Sequence, residues 1–250
     1  MGGKRRVLPR KERERQLLHE AIKIFAAKGY VATSITDIVE SAGVARGTFY
    51  HYFKSKEEIF LRIIDIYFEN LNRILEANSV RIKRALMADG NFLFAWLDFA
   101  LDFFRFHRDN IDLTSIIYRQ AMGQEAVFSE KLESYALYSR RVLAAELRML
   151  AERGFIIQCD FDVAAAIITG AALEIIMHFV TTNKDYDLEK VAFELVKNQS
   201  RALAVNLRVV DRLLATMEKS LHVKPSLMEE TTVDANQNPA PESERATPGP

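Results

Sequence analysis

Between Pro9 and Pro225 the chain contains no proline. A proline inside a helix costs about 3 kcal/mol, because it removes an N–H and its ring collides with the preceding turn. A proline-free stretch this long permits long helices, and the apolar residues within it recur at helical spacing. Leu18, Ile22 and Phe25 mark a first helix over about 11–28, closed by Gly29. Ser34, positioned to cap the amide of Asp37, opens a short second helix, Ile35–Ala42. Gly43 makes a turn, and a third helix follows over Arg46–Phe53. Ser55 and Glu58 have capping-box spacing and start a longer helix with Ile59, Ile63, Ile66 and Leu71 on its apolar face. The fold class expected is all-α.

Charge divides the chain unevenly. Its 34 Lys and Arg cancel 34 Asp and Glu overall. Residues 1–56 nevertheless carry twelve bases against five acids, and residues 225–250 carry five acids against one base. A basic head on a neutral chain points to a polyanion that meets the head alone. Two short helices joined by a glycine turn in a basic unit form the helix-turn-helix pattern. Val44, Phe49 and Phe53 anchor the third helix on a small core, leaving Arg46, Thr48, Tyr50, His51 and Tyr52 as polar tips. A rod of that width fits the major groove of B-form DNA.

The stretch from Ser34 to Glu58, with Phe25-Ala-Ala-Lys-Gly-Tyr30 and Thr33 before it, resembles the DNA-binding signature of TetR-type transcriptional regulators. The resemblance is dense over about fifty residues; the rest matches only in size and helical character. It implies a homodimer with an N-terminal helix-turn-helix domain and a C-terminal helical domain for effector binding and dimerisation. It places Arg46, Gly47 and Thr48 at the start of the recognition helix and Tyr50, His51 and Tyr52 against DNA. Thr33 joins them, and Lys54 and Lys56 flank a helix N-terminus suited to a phosphate. Ala45 departs from the pattern, which often has Ser there. The organisation expected is a basic arm (1–10), a DNA-binding domain (11–71, motif 34–53), an effector and dimerisation domain (72–224) and a disordered acidic tail (225–250). The function expected is a repressor that binds a palindromic operator and is released by an effector.

Residues 91–107 crowd seven aromatic side chains onto one helix and cover more than one of its faces. Core packing accounts for part of this; the remainder suggests a cavity lined by Phe92, Trp96, Phe99, Phe103, Tyr118, Met122, Tyr135, Tyr138 and Met177. With few charges nearby, the effector expected is apolar or aromatic; an acyl chain and a planar aromatic compound both fit. Residues 163–182 approach membrane-spanning length, but Glu174 and His178 interrupt them, so a mostly buried helix is expected and no membrane. A second long helix is read over about 188–221. Small and apolar residues on the two, Ala165, Gly170, Ala172, Leu203, Leu207 and Val210, form the expected dimer interface.

The sequence shows no phosphate loop, nucleophile elbow or Cys-x-x-Cys pair, so no enzyme, cofactor or metal is expected. His107 and His178 read as structural. Cys159, the single cysteine, cannot form an internal disulfide, and the basic start is followed by no apolar run, so a cytoplasmic protein is expected. The competing readings are an all-α enzyme and an architectural DNA binder without effector control.

Overall fold

The computed structural model describes residues 9–88, 91–121, 126–182 and 186–223. The basic arm before Pro9, the acidic tail and Met122 lie outside these, so the expectations for them are neither met nor missed. Among the described residues ten α-helices follow one another: α1 (Arg10–Lys28), α2 (Ile35–Ser41), α3 (Arg46–Tyr50), α4 (Lys56–Met87), α5 (Phe92–Asp109), α6 (Ile111–Ser115), α7 (Ala126–Glu152), α8 (Phe161–Thr182), α9 (Leu188–Ala202) and α10 (Leu207–Val223). A π-helical turn, Ile116–Ala121, follows α6. Among the described residues no strand is longer than an isolated bridge between Ile156 and Ala204.

The first three helices form close to where the sequence placed them, the second at a side-chain cap. Ser34 Oγ accepts from the Asp37 amide while the Asp37 carboxylate accepts from the Ser34 amide at 2.8 Å, a reciprocal box at the start of α2. Lys28 bonds Asp37 at 2.6 Å and, with Ser34, holds its carboxyl down at about 2. Gly29 and Gly43 have φ of 85° and 61°, which a side chain at either position would strain. Leu17, Ala21, Phe25, Ile38 and Phe49 close the small core. The third helix is shorter than expected, ending at Tyr50. Ala45 precedes it without a side-chain cap.

Helix α4 crosses from this unit into the C-terminal bundle without a break, from Lys56 to Met87. A second connection joins the two parts. Leu113, Ile116 and Phe128, from α6, the π-turn and α7, are buried in the same core as α1 and the start of α4. Phe128 lies 4.6 Å from Phe60 and edge-on to Tyr30 at 5.2 Å, ring centroid to centroid.

The helix expected over 188–221 is two helices. The chain breaks at 203–206, where the Ile157 amide donates to Leu203 O at 2.9 Å and Asn206 Oδ1 accepts from the Arg208 and Val209 amides. Tertiary pairing to the segment after α7 overrides an apolar repeat that runs straight through the break. Ala165, Leu203 and Val210, expected at a dimer interface, are buried in the protomer's own core at 0%, 9% and 7% exposure. Ala172 is half-buried, whereas Gly170 and Leu207 are exposed.

Helix α8 has mean hydropathy 2.0 over its most apolar window, long and apolar enough to cross a membrane, yet only 28% of that window is buried in the chain. Its outward face carries Val163 and Ile167, 55% and 67% exposed, followed by Gly170 and Glu174. Nothing stands within 4 Å of where a Cβ on Gly170 would lie. Packing within the chain therefore does not require the glycine.

Candidate DNA-reading face and effector cavity

Phe49 points inward from α3 and is fully buried, so the rest of that short helix turns outward. Arg46, Gly47, Tyr50 and His51 are exposed, and Thr48 and Tyr52 are half-buried. The Arg46 guanidinium donates at 3.3 Å to the hydroxyls of Tyr50 and Thr36 and lies over the Tyr50 ring at 5.9 Å. The face thus extends to Thr36 on α2. Sequence reading missed Thr36, although its place in the first turn of α2 was visible. Gly47 has open space where a side chain would stand. Lys54 is exposed at the approach to α4.

Two residues expected on this face are committed elsewhere. Thr33 is 2% exposed and its hydroxyl donates to Gly29 O at 2.7 Å, closing the turn after α1. Lys56 donates to the carbonyls of Tyr30, Val31 and Thr33 at 2.8, 3.3 and 2.9 Å, with its ammonium 4.4 Å from the Tyr30 ring centre. Three acceptors use all three of its N–H groups. Lys56 therefore ties the α1–α2 turn to α4 and has none left for a phosphate.

The C-terminal bundle holds a partly open cavity of about 540 Å³. Of the expected lining, Trp96, Phe99, Phe103, Tyr118 and Tyr135 surround it. Phe92 does not; it packs edge-on against Trp96 at 5.6 Å and against Phe155 at 5.4 Å. Tyr138 is 42% exposed, and Met177 is half-buried away from the cavity wall. Helix α4 contributes Tyr67, Phe68, Leu71, Leu75 and Asn78, while Glu146, Ile168, Val196 and Gln199 come from α7, α8 and α9. Sequence reading missed these. Asn78 was detectable, being a polar residue at helical spacing in the stripe Leu71, Leu75, Ile82, and so was Glu146 between Leu143 and Leu147.

Where the cavity nears the DNA-reading unit, hydrogen bonds run in one direction. His107 Nδ1 lies 2.7 Å from Phe103 O, and a carbonyl only accepts, so Nδ1 carries the proton. Nε2 therefore accepts from the Tyr67 hydroxyl at 2.8 Å. The Tyr118 phenol faces Tyr67, and burial pushes it up to about 12. Desolvation lowers His107 to about 4 from 6.5, opposed by its bond to Phe103 O. The depressed value sets the sign. Between pH 6.5 and 4 the unfolded chain binds a proton that the folded chain refuses. The contribution is full above pH 6.5 and is lost as pH falls toward 4, reaching about 3 kcal/mol. Urea midpoints should fall more steeply over that range in the parent than in His107→Gln; parallel curves would contradict a neutral, buried His107.

Residues 17–63 match the family model described as bacterial regulatory proteins, tetR family. The N-terminal unit is a tetR-family domain. An HTH-type transcriptional activator, FasR of Mycolicibacterium smegmatis, is 40% identical over 101 residues, covering 37% of this chain and 46% of that protein. The Staphylococcus aureus biofilm-operon negative regulator IcaR is 29% identical over 82 residues, covering 33% of this chain and 44% of that one. The chain spans less than half the length of these curated relatives. Among solved structures, the Bacillus subtilis regulator FadR in complex with stearoyl-CoA matches with TM-score 0.63 and 21% identity, covering 74% of this chain and 97% of that one. A Clostridium perfringens putative fatty acid metabolism regulator matches with TM-score 0.63 and 22% identity, covering 76% and 100%. The tetR-type fold extends through the C-terminal bundle, and the comparisons indicate no enzyme family.

Proposed function

We propose that this tetR-family chain is a ligand-responsive transcriptional regulator that binds duplex DNA as a homodimer, in the cytoplasm. The observation that carries the reading is the outward face of α3, where Arg46, Gly47 and Tyr50 stand clear of the fold around a buried Phe49. Repression is the mode favoured, with an apolar or aromatic effector in the cavity. A curated relative is a negative regulator and a structural neighbour holds stearoyl-CoA. An acyl chain suits the mostly apolar wall.

Gly47→Ala separates folding from reading. The position is helical and open, so alanine should leave stability unchanged or raise it by about 0.5–1 kcal/mol. On DNA the added methyl obstructs the backbone's approach, while Arg46→Ala and Tyr50→Ala remove groups able to reach base edges. Each of these losses should weaken specific binding by about 1–3 kcal/mol. The check is fluorescence anisotropy on promoter fragments across a salt series. Parent affinity should fall with a log–log slope of about −0.9 per neutralised phosphate. Three variants binding like the parent would remove α3 as the reading helix.

The switch runs through both connections to the cavity. Tyr67 and Phe68 of α4 line it, and so do Ile117 and Tyr118 of the π-turn. A ligand against these side chains favours one setting of α4 and α6, and hence one spacing of the two reading heads. It needs only different affinities for the two settings, and a coupling of about 1–3 kcal/mol changes DNA affinity about 5–150-fold.

A further inference from the structure

The two ends of the cavity differ in chemistry. At the end near the DNA-reading unit the polar groups satisfy one another, Tyr67 donating to His107 and His107 to Phe103 O. Helices α4 and α7 run side by side away from it, since Phe68 stacks on Tyr135 at 4.2 Å and, further along, Asn78 Nδ2 bonds Glu146 Oε2 at 3.3 Å. Gln199 lies toward this second end, one turn before Leu203 meets the segment that follows α7. Here the polar groups are not all satisfied. Glu146 is 5% exposed and accepts from Asn78 and the Ser79 hydroxyl; among the described residues no cation contacts it, and the Lys83 charge acts on it only from a distance. Asn78 Oδ1 and Gln199 Nε2 are buried without a hydrogen-bond partner in the described structure. Burial pushes the Glu146 carboxyl above the usual carboxylate range.

Unmatched buried polar groups are costly, so a ligand that matches them gains binding from doing so. The acceptors here are Asn78 Oδ1, which is unpartnered, and the lone pairs that remain on the Glu146 carboxyl beside its bonds to Asn78 and Ser79; the unpartnered donor is Gln199 Nε2. An anion brought beside a carboxylate away from water is repelled strongly. Resting on the reading of the cavity as an effector site, we propose that the buried end of the ligand carries a hydrogen-bond donor, a hydroxyl or an amine on an apolar body, received by Glu146 and Asn78. A carboxylate or phosphate on the same molecule would lie away from this end.

Trp96 lines the cavity and is the chain's single tryptophan, so its fluorescence reports occupancy. The full chain is titrated with decan-1-ol, decylamine and decanoate. The alcohol or the amine should bind at least about tenfold more tightly than decanoate. Glu146→Leu and Asn78→Leu, checked for folding by circular dichroism, should erase that preference and leave decanoate unweakened. Glu146→Gln separates the two donors: loss of amine binding alone identifies an ammonium, and retained alcohol binding identifies a hydroxyl. Decanoate binding as tightly as both donors, or a preference that survives both leucine variants, overturns the proposal and leaves the cavity reading standing. No fluorescence change with any of the three overturns both.

Discussion

Phe128→Ala should lower stability by about 3–5 kcal/mol, the range for emptying a buried phenylalanine site. The ring is fully buried and contributed by the C-terminal bundle, yet it packs on Tyr30 and Phe60 beside the DNA-reading helices. The expected result concerns cooperativity as much as magnitude. Trp96 lies in the other core cluster and lines the cavity. If the clusters unfold together, Trp96 fluorescence and far-ultraviolet circular dichroism should shift to lower urea by the same amount. A shift in circular dichroism alone would show that the DNA-reading unit unfolds independently. The contact that would transmit a ligand's effect would then be weak.

The second large effect is expected at the outward face of α8. Ile167 is 67% exposed in the protomer, so Ile167→Arg should fold normally. If that face meets its equivalent on a second copy, the variant places unpaired guanidinium groups in the interface. At about 3–5 kcal/mol for an uncompensated buried charge, the dimer dissociation constant should rise by more than about a hundredfold. Sedimentation velocity at micromolar concentration should show a monomer in place of the parent's dimer. A folded variant that remains dimeric would move the interface off α8.

How much of this was readable in advance depends on how local each signal is. Ser34 with Asp37, Gly43 and Ser55 act within a few residues, and the helices around them form close to where those residues put them. Lys56 and Thr33 carry residue types suited to DNA, but their partners are backbone carbonyls of the turn after α1, and which carbonyls lie in reach is a tertiary fact. That part of the expected dimer face is buried in the protomer has a related reason. A helical period identifies an apolar stripe but not whether the stripe meets the same chain or another. Ala165 turned inward, while Ile167, two residues on, turned out. The cavity was half legible: the aromatic density of α5 announced it, whereas the opposite wall, from Tyr67 to Asn78, reads as an ordinary amphipathic helix.

The central claim is that two α3 helices, held apart by one dimer, read one DNA site. The most direct measurement is selection by the full-length protein from a pool of random duplexes, followed by footprinting of the winners. The account predicts an inverted repeat, protected on both arms, with half-site centres about 34–36 Å apart or further in a longer site. It also predicts that Ile167→Arg, as a monomer, protects at most one arm. Enrichment of no sequence, or of a single half-site bound equally well by the parent and by Arg46→Ala, would contradict it.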